Sequence, residues 1–368
     1  MTGVDTQLGG RLVVCVGAGG VGKTTVAAAI ALARAAAGER VAVVTIDPAP
    51  RLARALGFET LDDEPRRVAG ADGELWAMRL DPKRTLDELI ASLAPDAPTR
   101  DRALSNRVYR ELSSAIAGSQ EFSAVAKLYE LDRSGSFDAI VLDTPPSRNA
   151  LDFLDAPGRL VRFFEGRALR MLVTQGGLAT RAARRATSPV LGALDRLLGA
   201  GVLREIGAFL TSIGSMVDGL GERAAAVAAL LRDPQTGFVL VTAPRREAVE
   251  ETIAFAAELR RGGLPLAALV VNRVHSAPVD GAALGGLEAL LGARLSGLVR
   301  ASLDELRARA AADAAAVTRL RAAFVGLEPL SVPELDAEPT DLPGLRLMAA
   351  HLGYGRSVSS DASPSVAQ

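Results

Sequence analysis

Apolar residues along this chain occur in two alternating textures. Short runs rich in β-branched residues lie at Leu12 to Val16, Val41 to Ile46, Phe137 to Leu142, Phe238 to Thr242 and Leu269 to Asn272. Brief, uninterrupted apolar runs bounded by polar or glycine-containing stretches read as strands buried on both faces. Leu75 to Leu80 and Phe324 to Val332 are two further candidates. The segments between them are rich in Ala, Leu and Arg and carry helical spacing. Strand and helix alternating in this way predict right-handed βαβ units, and hence an α/β fold with a doubly wound, mostly parallel sheet.

Two stretches depart from that rhythm. Leu86 to Leu131 reads as helical and precedes the Phe137 run, beside which it is expected to pack. Residues 160–235 are strand-free, rich in Leu, Ala, Gly and Arg, and punctuated by Pro189 and glycine pairs. They predict an inserted α-helical subdomain within a single domain spanning residues 10–350. Residues 1–9 and 355–368 are polar and are expected to be disordered tails. No internal repeat is visible.

Composition narrows the class. Of 368 residues, 49% are hydrophobic and 23% charged, enough apolar surface for a sizeable core. The formal net charge of −1 supplies no field that would draw the chain onto nucleic acid, so no nucleic-acid partner is expected. No run reaches the ~18 apolar residues of a membrane span, and no basic-then-apolar leader opens the chain, so no integral membrane segment and a cytoplasmic location are expected. Cys15 is the only cysteine and there are two histidines, which excludes an intrachain disulfide and a thiolate-rich metal site.

Lysine is scarce, standing only at positions 23, 83 and 127. One of the three falls inside Gly17-Ala18-Gly19-Gly20-Val21-Gly22-Lys23-Thr24-Thr25, directly after the first strand run and before the Ala-rich stretch Val26 to Ala37. This is a Walker A pattern in its required strand–loop–helix setting. Glycines let backbone N–H groups turn inward around phosphate oxygens, and the helix start adds a favourable dipole. Lys23 is expected between the β- and γ-phosphates of ATP, and the Thr24 hydroxyl on Mg²⁺. A glycine turn that contains Lys-Thr by accident explains only part of this arrangement.

Ligands of open parallel sheets bind beyond the carboxyl ends of the strands. Asp47, Asp143, Asn272 and the pair Pro333-Glu334 each follow or end a strand run and so fall on the edge of the phosphate loop. Asp47 is placed to polarise a water beside a γ-phosphate; the competing reading is a helix cap ahead of Arg51 to Leu56. Asp143 has the apolar lead-in of a Walker B carboxylate, which together with Thr24 and Asp47 would surround Mg²⁺; a plain strand-end turn competes. Asn272 reads either as a turn residue or as a base contact. Guanine readers carry Asn-Lys-x-Asp, whereas this chain has Asn272-Arg273-Val274-His275, which favours adenine.

The phosphate loop, Asp47-Pro48-Ala49, Asp143-Thr144-Pro145-Pro146, Val271-Asn272-Arg273 and Val332-Pro333-Glu334-Leu335 stand in the order found in the arsenical-pump ATPases and the tail-anchored-protein-targeting ATPases. The chain resembles that family over roughly residues 10–350, and most of all an actinobacterial-type branch with Ser147-Arg148-Asn149-Ala150-Leu151-Asp152-Phe153-Leu154. The resemblance implies that Asp47 activates water, Asp143 opens a second switch, and Asn272 with the loop after Val332 holds adenine. It also implies an ATP-hydrolysing dimer, formed with itself or with a paralogue, that couples hydrolysis to conformational change on behalf of a hydrophobic or membrane-associated client.

Three departures shape the alternatives. Ala18 stands where the family usually has a lysine that reaches a partner's nucleotide, so the chain reads also as a catalytically weak subunit of an active paralogue, with Arg51 or Arg148 as replacement cations. Absent thiolates disfavour an arsenite site and the family's intersubunit zinc clamp. The apolar positions of the helical insert, such as Phe163, Leu172, Phe209 and Met216, fit a client groove and ordinary core packing alike. A partitioning or positioning ATPase and a small-molecule kinase complete the alternatives.

Overall fold

Helices and strands alternate along the chain as the periodicity predicts, in a computed structural model that describes residues 8–106, 109–110, 120–145, 217–278 and 287–353. Most of the helical insert, its apolar positions named above, the stretch from Pro146 to Leu154 that includes Arg148, residues 1–7 and residues 354–368 lie outside the described residues, whereas Leu8, expected in a disordered tail, is buried in the core. The chain divides into two compact units.

The first unit holds an eight-stranded sheet in the order β3-β4-β2-β5-β1-β6-β7-β8. Its members are β1 (Leu12–Val16), β2 (Arg40–Thr45), β3 (Arg66–Arg67), β4 (Glu74–Arg79), β5 (Ala139–Asp143), β6 (Thr236–Thr242), β7 (Leu266–Val274) and β8 (Leu330–Pro333). All neighbours pair in parallel except β3 and β4. Every residue of β1, β5 and β6 is buried, as a strand covered on both faces requires.

Of the strands read from the sequence only β1 keeps its bounds, and two of the differences have a visible cause. Phe137 lies ahead of β5 and packs edge-on against Trp76, their ring centroids 5.5 Å apart. The Phe324 run yields a strand only from Leu330, because Phe324 still donates its N–H to Leu320 at a helix exit and Gly326 then turns the chain at φ 84°.

Helix α1 (Lys23–Ala36) follows β1 and is almost wholly buried. Its alanines from Ala27 to Ala31 leave room for close approach, and they share one core cluster with Val13, Val41, Val141 and Val239 of the sheet. The short α2 (Arg51–Ala55) follows β2, while α7 (Arg246–Arg261), α8 (Leu287–Ala323, interrupted at Gly292) and α9 (Leu342–His351) complete the unit. Leu345, Met348 and Leu352 of and beside α9 join the same core as α1.

The second unit is helical in its described part: α3 (Pro82–Leu93), α4 (Ala97–Ser105), α5 (Gln120–Ser134) and α6 (Val217–Arg232). Asp81 and Asp96 cap α3 and α4, accepting backbone N–H bonds from Lys83, Arg84 and Thr99, each cap followed within two residues by a proline suited to a helix start. Lys127 is buried between Glu88 and Glu130 at 3.4 and 3.2 Å. Among the described residues no helix is long and apolar enough to cross a membrane.

Candidate functional site

Parallel pairing places the ends of the central strands side by side. Asp143, the last residue of β5, stands in register with Cys15 of β1 on one side and Thr45 of β2 on the other. The loop that leaves β1 therefore emerges next to both candidate aspartates.

That loop is shaped by two glycines. At Gly17 (φ 152°) a side chain would collide with the Val241 carbonyl, and at Gly22 (φ 93°) with the Asn272 amide. Gly22 is the N-cap of α1 and supplies no side-chain cap, and the first turn holds no acidic residue. The backbone N–H groups at this helix start are left to an external acceptor, which is the arrangement that favours an anion. Lys23 is 6% exposed, and its ammonium donates to the Ala18 carbonyl at 2.9 Å. Burial holds its pKa below the usual lysine range, against the opposing pull of Asp143 and Asp47.

The two aspartates are joined by a residue that the sequence did not single out. Thr45 donates its hydroxyl to Asp143 Oδ2 at 2.9 Å and accepts the Asp47 backbone N–H at 3.2 Å. As a β-branched residue at a strand end, Thr45 looks like any other strand former; its bridging hydroxyl has no signature in the sequence. Asp47 Oδ1 accepts from the Ala49 N–H at 2.9 Å, closing a turn on itself, and α2 starts behind Pro50 without a side-chain cap. The capping alternative for Asp47 is thus replaced by an Asx turn. Thr144 donates to the Cys15 carbonyl at 2.7 Å and pins the chain beyond β5 to β1.

Asn272 lies inside β7 rather than in a turn, and donates its amide to the Val21 carbonyl at 2.9 Å. It therefore clamps the phosphate loop as well as lining the cavity beside it. The cavity measures about 510 Å³, within the usual range for small-molecule sites. Gly20, Gly22, Lys23, Thr24, Thr25, Asp47, Thr144, Asn272, Arg273, Pro333, Glu334 and Thr340 are among the residues that line it. Gly17, Gly19 and Val21 belong to the loop without lining it, and Val21 is buried.

A family model described as anion-transporting ATPase matches residues 10–283, a span that takes in the loop, both aspartates and Asn272. The chain belongs to the anion-transporting ATPase family. It is 27% identical over 304 residues to ATPase ARSA1 of Chlamydomonas reinhardtii, which covers 74% of this chain and 37% of that longer protein. ATPase GET3 of Mycosarcoma maydis is 28% identical over 259 residues, covering 70% of each chain. ATPase get3 of Aspergillus terreus is 30% identical over 268 residues, 72% of this chain and 73% of that one. Pro333 and Glu334 lie beyond the family-model match.

As a member of this ATPase family the chain has a nucleotide to accommodate, and its residues fit a magnesium nucleotide. Asp143 is fully buried, yet no hydrogen-bond partner reaches its Oδ1. Burial pushes its pKa up to about 6; the Thr24 and Thr45 hydroxyls and Lys23 pull it down, and Asp47 adds to the rise. An unpartnered buried carboxylate oxygen beside a threonine hydroxyl is a hard oxygen set suited to Mg²⁺. Among the described residues no group of three or more His, Cys, Asp or Glu side chains could hold a metal ion.

Asp143 also has a consequence for stability without metal. Its folded pKa lies above the ordinary 3.8, so the folded state holds the proton more tightly than the unfolded chain does. Stability then falls as pH rises from about 4 to about 6, and the full penalty, on the order of 3 kcal/mol, persists above that range. Asp143→Asn keeps an oxygen for Thr45 and removes the charge. In a chelating buffer the variant should melt several degrees above wild type at pH 8, with the gap narrowing toward pH 5, as followed by circular dichroism.

Proposed function

We propose that the chain binds ATP with Mg²⁺ in this cavity and hydrolyses it, working as a dimeric switch that couples turnover to conformational change. The observation that carries the reading is the uncapped start of α1, with buried Lys23 facing two aspartates that a single hydroxyl links. Backbone N–H groups of Gly20, Val21 and Gly22 would cradle the phosphates, and Lys23 would leave the Ala18 carbonyl for the β- and γ-phosphates. Thr24 and Asp143 would hold the magnesium, which neutralises phosphate charge when bound, with Asp47 beside it. Asp47 orients the attacking water and accepts its proton, while Thr45 holds the Asp143 carboxylate and the Asp47 backbone in place.

Asn272, Pro333 and Glu334, which line the same cavity, are proposed to take the adenine end. The Glu334 N–H bonds the Val274 carbonyl at 3.0 Å, so the end of β8 and the end of β7 present one wall. The resemblance to tail-anchored-protein-targeting ATPases supports a cytoplasmic dimer, with itself or a paralogue, and a hydrophobic or membrane-associated client. A second reading is favoured by Ala18, whose methyl offers the phosphates no charge: a subunit that needs an active paralogue.

Phosphate release tests the first reading. With Mg²⁺ present, the purified chain should release phosphate from ATP in preference to GTP, and a chelator should stop it. Turnover confined to GTP, or independent of metal, would contradict the proposal. Silence alone with activity on adding a paralogue would favour the second reading.

A further inference from the structure

We propose that Arg51 is a catalytic residue of this site, supplying within one chain the second positive charge on the terminal phosphate; the inference rests on the ATPase reading above. When water attacks ATP, a bond forms between the water oxygen and the γ-phosphorus while the bond from that phosphorus to the β–γ bridging oxygen breaks. The water proton passes to Asp47, and ADP leaves with the bridging electron pair. Negative charge spreads over the γ-oxygens as this happens, and cations aimed at them have the largest effect on rate.

Among the described residues four cationic side chains line the cavity: Lys23, Arg51, Arg54 and Arg273. They are not equally available. Arg273 is held by Glu338 at 2.8 Å and lies 4.0 Å from Glu334. Lys23 is committed to the loop. Position 18, at the mouth of the loop, is an alanine that packs against the core, so the loop supplies no second charge. The remaining two lie on α2.

Arg51 is the one of these aimed at the reaction centre. Its Nη1 lies 3.8 Å from Asp47 Oδ2, whereas among the described residues no ion pair joins Arg54 to Asp47 or Asp143. At 3.8 Å the contact with Asp47 is too long for a hydrogen bond, and it is the one partner of Arg51 among the described residues. The side chain is 65% exposed, so the ion pair contributes little to stability. The guanidinium is thus held beside the carboxylate that handles the water, with its donors unspent. Its planar fork suits two oxygens of one phosphate, which a lysine ammonium would meet only as a point charge.

Arg51→Ala and Arg51→Lys in the full chain test this by phosphate release, by separate titrations with magnesium ATP and ADP, and by melting. Expected for Arg51→Ala is a fall in kcat of about 100-fold or more, with ADP affinity within about threefold of wild type and an unchanged melting temperature. Arg51→Lys should recover a minor part of the rate, and free guanidinium should partly rescue the alanine variant, which a structural role would not allow. The inference is overturned if Arg51→Ala turns over within about threefold of wild type, or if ATP and ADP binding weaken equally with no further loss in kcat. A wild-type chain that releases no phosphate under any of these conditions overturns the ATPase reading along with it, whereas an active wild type with an unaffected Arg51→Ala overturns this inference alone.

Discussion

Replacing Lys23 by alanine is expected to abolish nucleotide binding and to leave the fold intact. Lys23 is the one cationic side chain between Gly17 and Thr25, and it is buried at the start of α1. Removing one partner of a buried, hydrogen-bonded charge pair costs about 2–5 kcal/mol, so affinity for ATP should fall by roughly 30- to 4,000-fold. The fold should not suffer. Burial already disfavours the ammonium, and its one hydrogen bond goes to the Ala18 carbonyl of a surface loop. Equilibrium titration of ATP should find no saturable binding, while the melting temperature without nucleotide stays at or above that of wild type. A variant that binds ATP normally would mean the loop does not hold phosphate.

Asp47→Asn separates binding from turnover. Asparagine keeps an oxygen for the Ala49 N–H, so the turn that positions residue 47 survives, and the backbone bond to Thr45 is untouched. What is lost is the carboxylate proposed to take the water proton. Turnover should fall by about 100- to 10,000-fold with ATP affinity within about threefold. Stopped-flow binding combined with phosphate release measures both. Normal hydrolysis by this variant would remove Asp47 from the chemistry.

The parts of the fold legible in the sequence were those with a local signature. Strands such as β1 and β5, covered on both faces, need a continuous apolar run, and β1 falls where its run predicts, from Leu12 to Val16. The phosphate loop was legible because glycine, Lys23 and Thr24 have to follow one another in the chain. The rule that ligands sit at the carboxyl ends of parallel strands then brought Asp47, Asp143 and Asn272 to one edge without any coordinates.

What stayed hidden depends on residues far apart or without pattern. Thr45 and Asp143 are 98 positions apart, and nothing in either neighbourhood announces that one hydroxyl links both aspartates. The Asn272 clamp on Val21 spans 251 positions and gives that side chain a loop-holding bond where the resemblance implied only a base contact. Strand β3 is two exposed arginines, which no periodicity can flag, and its antiparallel pairing with β4 comes from its place at the sheet edge. The two helical stretches, Leu86 to Leu131 and residues 160–235, were legible as departures from the strand–helix rhythm; their grouping into one unit was not, because β5 separates them in the chain and nothing local links them.

Calorimetric titration of the wild-type chain with ATP in the presence of Mg²⁺ tests the central claim most directly. A saturable heat for a single class of sites, lost in Lys23→Ala, is the expected result. No heat with ATP, ADP or GTP would contradict it.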